Sequence, residues 1–183
     1  MIIIVGTPGA GKTTQTKMLA EYLHCPWFSM GQLIRDNARG QARTDMLAGK
    51  IIDDKTTLYI LSEALKNIDT YNNELVVEGN PRSVVQAKWW LEQIGAKKIK
   101  LTAIIHLVVS ERQARDRLDK RGRIDDNNGD VVKERFTQYK SSIVPTLKYL
   151  ESKGLKVQKI DASASIDEIQ QAIRRVVATA NAT

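Results

Sequence analysis

The stretch Ile2-Ile3-Ile4-Val5-Gly6-Thr7-Pro8-Gly9-Ala10-Gly11-Lys12-Thr13 decides the fold. Four consecutive branched apolar residues read as a strand buried on both faces, and the glycines after them turn the chain into a helix running from Thr13 to Tyr22. Gly6 to Thr13 satisfies the spacing G-x-x-x-x-G-K-[ST], with the strand before it and the helix after it that give the pattern its meaning. Backbone N–H groups in such a loop converge on one concavity, and the helix N-terminus adds positive potential. Lys12 is placed to reach the terminal phosphates of a nucleotide, and the Thr13 hydroxyl to hold Mg²⁺. The competing reading of the same residues is a glycine turn that only caps a helix.

Outward from this loop, strand-like and helical segments alternate without an internal repeat, a low-complexity tract or a proline-rich linker. Trp27-Phe28 reads as a short strand, and Ser29 as the cap of a helix carrying Leu33, Ile34 and Arg35. Either Asp53 or Asp54 can cap the next helix, which carries Leu58, Leu61 and Leu65. Glu74 to Glu78 is a strand that delivers Gly79-Asn80-Pro81-Arg82 to its C-terminal end, and Leu101 to Val109 is another. Ser110 with Gln113, and Ser165 with Glu168, have capping-box spacing and open two further helices. Between them a long helix is expected from about 131 to 153, bent or interrupted at Pro145 and stopped by Gly154, and then a strand at about 156–160. Strands separated by helical crossovers predict an α/β fold, a parallel sheet with helices on both faces. Ligands then gather at the carboxyl ends of the strands, so Lys12, Arg82 and the segment after Val109 are expected to share one cleft.

With 183 residues and 42% hydrophobic content, a single domain with one sizeable core is expected. The lone cysteine, Cys25, excludes an internal disulfide and a cysteine-rich metal site. The apolar opening is too short for a signal peptide or a membrane span, so the expectation is a soluble, cytoplasmic chain. A net charge of +7 points to an anionic partner without choosing between nucleotide, nucleic acid and acidic surface. No aromatic platform alternates with the basic residues, so nucleic acid is not the expected partner.

Arginine placement narrows the choice. Arg112, Arg115, Arg117, Arg121 and Arg123 crowd one segment, Arg135 follows, and Arg35 and Arg82 lie nearer the N-terminus. The planar guanidinium makes bidentate, charge-assisted hydrogen bonds with phosphate oxygens and keeps its charge at working pH. Arg112 and Arg115 read as a solvated face paired with Glu111, Asp116 and Asp119, whereas Arg121 and Arg123 bracket Gly122 and lead into the turn-rich run Ile124 to Gly129. His24, His106 and Cys25 read as packing or surface residues, and Trp89-Trp90 as a helical pair with a ring on the sheet.

Taken in order, these motifs resemble those of the adenylate kinases and the wider nucleoside monophosphate kinases, along the whole chain. Gly6 to Thr14 resembles the family's phosphate loop, Met30-Gly31-Gln32-Leu33-Ile34-Arg35 its T-G-D-x-L-R segment, and Ala48-Gly49-Lys50-Ile51-Ile52 its monophosphate-site turn. Glu78-Gly79-Asn80-Pro81-Arg82 resembles D-G-F-P-R, with Gln86 at the family's glutamine. Arg117 to Asn127 resembles the short-lid pattern, with Arg135 and Tyr139 after it. Met30, Gln32, Glu78 and Asn80 depart from the family pattern, and the segment between Arg121 and Arg123 is shorter than the family's short lid.

The resemblance implies a P-loop NTPase fold with a helical monophosphate-binding insertion at about 30–60 and a very short lid at about 121–130. It implies transfer of the γ-phosphoryl group of Mg-ATP to AMP, or to UMP, CMP or another monophosphate, by a monomer; the departures at Met30, Gln32 and Asn80 leave a catalytically weakened nucleotide-binding regulator as the remoter alternative. Gly9, Ala10, Gly11, Lys12, Thr13, Thr14 and Arg117 would bind ATP, with Arg117 against the adenine. Met30, Gly31, Arg35, Lys50, Ile51, Ile52, Gly79, Arg82 and Gln86 would form the monophosphate site, with Gln86 facing the base. Lys12, Arg82, Arg121, Arg123 and Arg135 would surround the transferring group, Asp125 and Asp126 would orient the lid arginines, and Thr13 with Glu78, through water, would hold Mg²⁺.

Overall fold

A computed structural model of the chain describes residues 1–121 and 129–181. Among them the order is β1 (Ile2–Gly6), α1 (Lys12–Leu23), β2 (Trp27–Ser29), α2 (Met30–Asn37), α3 (Gly40–Leu47), α4 (Asp54–Leu65), β3 (Val76–Glu78), α5 (Val84–Gly95), β4 (Ala103–Val108), α6 (Glu111–Arg121), α7 (Gly129–Gln138), a π-helical turn (Tyr139–Ile143), α8 (Val144–Ser152), β5 (Val157–Asp161) and α9 (Ile166–Asn181). The strands form one parallel sheet in the order β2-β3-β1-β4-β5. This is the expected architecture, a parallel sheet with helices on both faces in the manner of P-loop NTPases.

The alternation of side chains along β1 sorts the core into two layers. Ile2 and Ile4 pack with Leu19 of α1, Leu118 of α6, Phe136 of α7, and Ile173 and Val177 of α9. Ile3 and Val5 face the other way, onto Met30 and Ile34 of α2, Leu61 of α4, Trp90 of α5, and Leu147 and Leu150 of α8. All five β1 residues are buried, as a central parallel strand requires. Each fully buried Ile or Leu is worth about 1.5–3 kcal/mol relative to an exposed one, so this strand is the energetic centre of the sheet.

Caps appear where the sequence places them. The Ser29 hydroxyl accepts from the Gln32 N–H, and the Asp53 carboxylate accepts from the Thr56 N–H at 2.8 Å, which makes Asp53 the cap and Asp54 the first helical residue. The Ser110 and Ser165 hydroxyls accept from the N–H groups of Gln113 and Glu168, and the Ser165 N–H donates back to Glu168 at 3.0 Å.

The interruption expected at Pro145 is present. The helix predicted over 131–153 is two helices joined by the π turn, with Pro145 in the first turn of α8. Proline lacks an N–H and its ring crowds the carbonyl of residue 141, so the ladder widens just before it. The Thr146 hydroxyl donates to the Ser142 carbonyl at 2.7 Å and satisfies part of the interrupted ladder. The turn also has a positional consequence, because α7 belongs to one core layer and α8 to the other. The chain therefore changes faces here, and the two ends of the turn are tied down. Tyr139 Oη lies 2.8 Å from His106 Nε2 on β4, and Ser142 Oγ donates to the Arg82 carbonyl at 2.7 Å.

Candidate functional site

A cavity of about 900 Å³ is lined by the glycine-rich loop after β1, the segment after β3, the C-terminal half of α6 and the first residues of α9. Gly9, Ala10, Gly11, Lys12, Thr13 and Thr14 all line it. Among the described residues no side chain caps the N-terminus of α1, so the first N–H groups of that helix face the cavity without a side-chain acceptor from these residues. Gly9 has φ +76°, and a Cβ there would lie 2.6 Å from the Ala114 carbonyl oxygen, so no other residue fits the turn.

Lys12 Nζ donates to the carbonyls of Gly6 at 3.1 Å and Thr7 at 3.0 Å. Burial pulls its pKa down from 10.5 to about 8, helped by the nearby cations Arg82, Arg121 and Arg135 and opposed by Glu78. The ammonium is still protonated at neutral pH, and an arriving phosphate would raise its pKa again.

Glu78 closes the floor. Its Oε1 accepts from the Thr13 hydroxyl at 3.0 Å and, in a very short contact, from the Ser29 hydroxyl, whereas its buried Oε2 has no hydrogen-bond partner among the described residues. A buried carboxylate oxygen without a partner, beside the hydroxyl of the loop threonine, suits an ion that keeps most of its waters and takes its remaining oxygens from phosphates, as Mg²⁺ does. Among the described residues no group of three or more His, Cys, Asp or Glu is placed to hold a metal ion.

The cations converge from several elements. Arg82 Nε donates to the Gly79 carbonyl at 2.7 Å, and its guanidinium is pulled below the usual arginine range by burial and by Arg135 and Arg35, with Glu78 acting in the other direction. A methyl group built on Gly31 would lie 3.6 Å from both Arg35 Nη1 and Arg82 Nη2, so the surface of Gly31 sits in a fork between two guanidinium groups. That is the geometry a phosphate dianion fills. Arg35 is steadied by two donations to Gln32 Oε1, at 3.2 and 2.8 Å. Arg117, Arg121 and Arg135 also line the cavity, and Arg117 Nη1 donates to the Ala162 carbonyl at 2.8 Å. Arg115 turns away to Glu111 at 2.8 Å and onto the Phe136 ring, as a helix-face residue should.

Lys50, Ile51, Ile52, Gly31, Arg35, Gly79 and Arg82 are thus brought together with the phosphate loop. Two expected site residues are not. Met30 is fully buried in the core layer under α2, and Gln86 is fully buried behind the Arg82 backbone, so neither faces the cavity. Their packing positions, one starting a helix on the sheet and one following Ser83 into α5, account for this. Arg123, Asp125 and Asp126 lie outside the described residues.

Sequence reasoning missed the Ser29 contact with Glu78, which depends on the β2–β3 register that places those residues side by side. It also missed Ile166, Ile169 and the Ala162 carbonyl, although the carboxyl end of β5 was a place to look.

The adenylate kinase family model matches residues 4–155. An adenylate kinase of Chelativorans sp. (strain BNC1) is 32% identical, over 98% of this chain and 99% of its own length. That of Thermobifida fusca (strain YX) is 33% identical over 93% of this chain and 94% of its own, and that of Mycobacterium tuberculosis (strain ATCC 25177 / H37Ra) 33% over 92% and 93%. With a phosphate loop, a guanidinium fork and a matching family model over most of its length, this chain belongs to the adenylate kinase family.

Proposed function

We propose that the protein catalyses reversible transfer of the γ-phosphoryl group of Mg-ATP to AMP, giving two ADP. The observation that carries this reading is the convergence of Lys12, Arg35, Arg82, Arg121 and Arg135 on a single cavity that runs from the glycine-rich loop to the fork over Gly31. An ATPase needs one phosphate site; this cavity has the cations for two, end to end.

In the forward direction an oxygen of the AMP phosphate attacks the γ-phosphorus, and the bond from that phosphorus to the β–γ bridging oxygen breaks to release ADP. The acceptor needs no general base, because its second pKa is about 6 and it is mostly dianionic at neutral pH. The lining accordingly offers cations and, among the described residues, Glu78 as its only carboxylate. Lys12 and the α1 N-terminus would hold the β- and γ-phosphates, Arg35 and Arg82 the acceptor phosphate, and Arg121 and Arg135 the charge on the equatorial oxygens as it develops. Arg117 would flank the adenine of ATP, with Gly9, Ala10, Gly11, Thr13 and Thr14 around its phosphates. Gly31, the Lys50–Ile52 backbone and Gly79 would line the monophosphate pocket. Mg²⁺, held by Thr13 and through water by Glu78, would neutralise charge on the β- and γ-phosphates.

The same reading makes 30–60 a monophosphate-binding insertion and 121–130 a short lid, with Arg123, Asp125 and Asp126 in it. A monomeric cytoplasmic enzyme accords with the family, and no described helix is long and apolar enough to cross a membrane. Nucleic acid is not needed as a partner to explain the charge of +7, given how many cations the cavity gathers.

Two adenosines joined by five phosphates test the end-to-end arrangement. Calorimetric titration should give one tight site, competed by both ATP and AMP, because binding at one end raises the effective concentration at the other. Weak binding that AMP does not compete would refute it.

A further inference from the structure

On β4, Ile104, His106 and Val108 share one face, and His106 is the polar member of it. Its Nε2 lies 2.8 Å from Oη of Tyr139, the buried first residue of the π turn. Burial, and then the Lys159 and Lys12 ammonium groups, push the His106 ring down to about 4, so the ring is neutral at working pH. The phosphoryl-transfer scheme above leaves this pair without a task.

The pair sits where the chain is re-aimed. Each α-helical residue turns the chain by about 100°, so the residue that a π turn adds redirects everything after it by about that angle. Here the Val144 N–H donates to the Tyr139 carbonyl, which is the π-type bond. Arg135 stands four residues before Tyr139, one turn away on the same face of the helix, and lines the cavity. At the far end of the turn Ser142 donates to the Arg82 carbonyl at 2.7 Å. The run from Arg135 to Ser142 thus joins a cavity arginine, strand β4 and the backbone of the acceptor-side arginine. Arg82 has supports of its own: Nε donates to the Gly79 carbonyl, and its N–H to Gln86 Oε1, which also accepts from Asn80, itself bonded to Trp90. The Tyr139 end meets the sheet through His106.

We propose that His106 is a positioning residue for phosphoryl transfer, acting through Tyr139 to set the π turn and with it the reach of Arg135 into the cavity. This rests on the kinase reading above, in which Arg135 meets charge that develops only in the transition state. Loss of the bond should therefore show in kcat more than in KM.

The test is kcat and KM of the full chain with Mg-ATP and AMP, for the parent protein, Tyr139→Phe, His106→Leu, the double variant and His106→Gln. Tyr139→Phe keeps the ring and removes only the hydroxyl. It should lower kcat by about 10–100-fold, as a misplacement of about 1 Å does, with either KM within about threefold of the parent. His106→Leu should do the same, and the double variant should be no slower than either single one, because the two side chains act through one bond. His106→Gln has a neutral amide nitrogen with about the reach of Nε2 and should recover kcat to within about threefold of the parent. If His106→Leu does not fold, Tyr139→Phe and His106→Gln decide. An active parent with kcat unchanged in Tyr139→Phe overturns the inference and leaves the kinase reading standing. So does a defect confined to KM, a double variant whose losses multiply, or a His106→Gln that stays as slow as Tyr139→Phe. A parent that makes no ADP from ATP and AMP removes both.

Discussion

Replacing Lys12 by methionine should stop turnover and yet raise the melting temperature of the nucleotide-free protein. In the absence of phosphate the ammonium is partly desolvated and surrounded by Arg82, Arg121 and Arg135, which is why its pKa falls from 10.5 to about 8. At about 1.4 kcal/mol for each tenfold change in proton affinity, that fall corresponds to a cost of at most about 3–4 kcal/mol for carrying the charge at pH 7. The side chain keeps some exposure to solvent, which screens part of the cost. Its two bonds to the Gly6 and Thr7 carbonyls would also be lost, at about 1 kcal/mol or less each. The net gain for methionine is then about 1–2 kcal/mol, or roughly 2–8 °C for a chain of this size.

The sign has a pH signature. Below pH 8 both folded and unfolded chains hold the proton and the folded state carries the full cost. Between about 8 and 10.5 the unfolded chain binds a proton that the folded one has released, so stability attributable to Lys12 rises with pH. The advantage of the variant in calorimetric melting should therefore be largest near pH 7, shrink towards pH 10, and reverse with saturating ATP, which the parent alone binds through the ammonium. Turnover should fall by about 100-fold or more. A variant that melts lower at pH 7 without nucleotide, or a difference that does not change with pH, would refute the reasoning.

Trp90→Phe leaves Asn80 Oδ1 without its donor in a fully buried position, and should lower stability in urea unfolding by about 1–3 kcal/mol. An unchanged midpoint would mean that the network holding Gln86 carries no energy. Glu78→Gln keeps the side-chain size but removes the charge, so the Mg²⁺ concentration for half-maximal rate should rise, or the rate itself fall, by about 10–100-fold. Identical Mg²⁺ curves would take Glu78 out of the metal site.

Much of this molecule was legible because its signals are local. The apolar run Ile2–Val5 followed by the glycine-rich loop fixes a central strand and a phosphate cradle, and capping residues such as Ser29, Asp53, Ser110 and Ser165 mark helix starts through bonds three residues long. Pro145 gave notice of an interruption, but not of its form, because the π turn depends on how α7 and α8 pack on opposite faces of the sheet. The site divides in the same way. Lys12, Arg35 and Arg82 all line the cavity that motif spacing predicts, Lys12 at the start of α1, Arg35 in the last turn of α2 and Arg82 between β3 and α5. Gln86 does not face the cavity, and nothing within a few residues of it announces this. Its side-chain partners Asn80 and Asp54 come from the segment after β3 and from α4, and Trp90 ties down Asn80 in turn, so the network forms only once these elements are docked.

The central claim, phosphoryl transfer between two nucleotides held end to end, is tested most directly by following ATP, AMP and ADP together in a reaction containing Mg²⁺. The account predicts that ATP and AMP disappear in equal amounts, that ADP appears at twice that rate, and that ADP alone regenerates both. ADP formed while AMP is untouched, or no ADP formed at all, would contradict it.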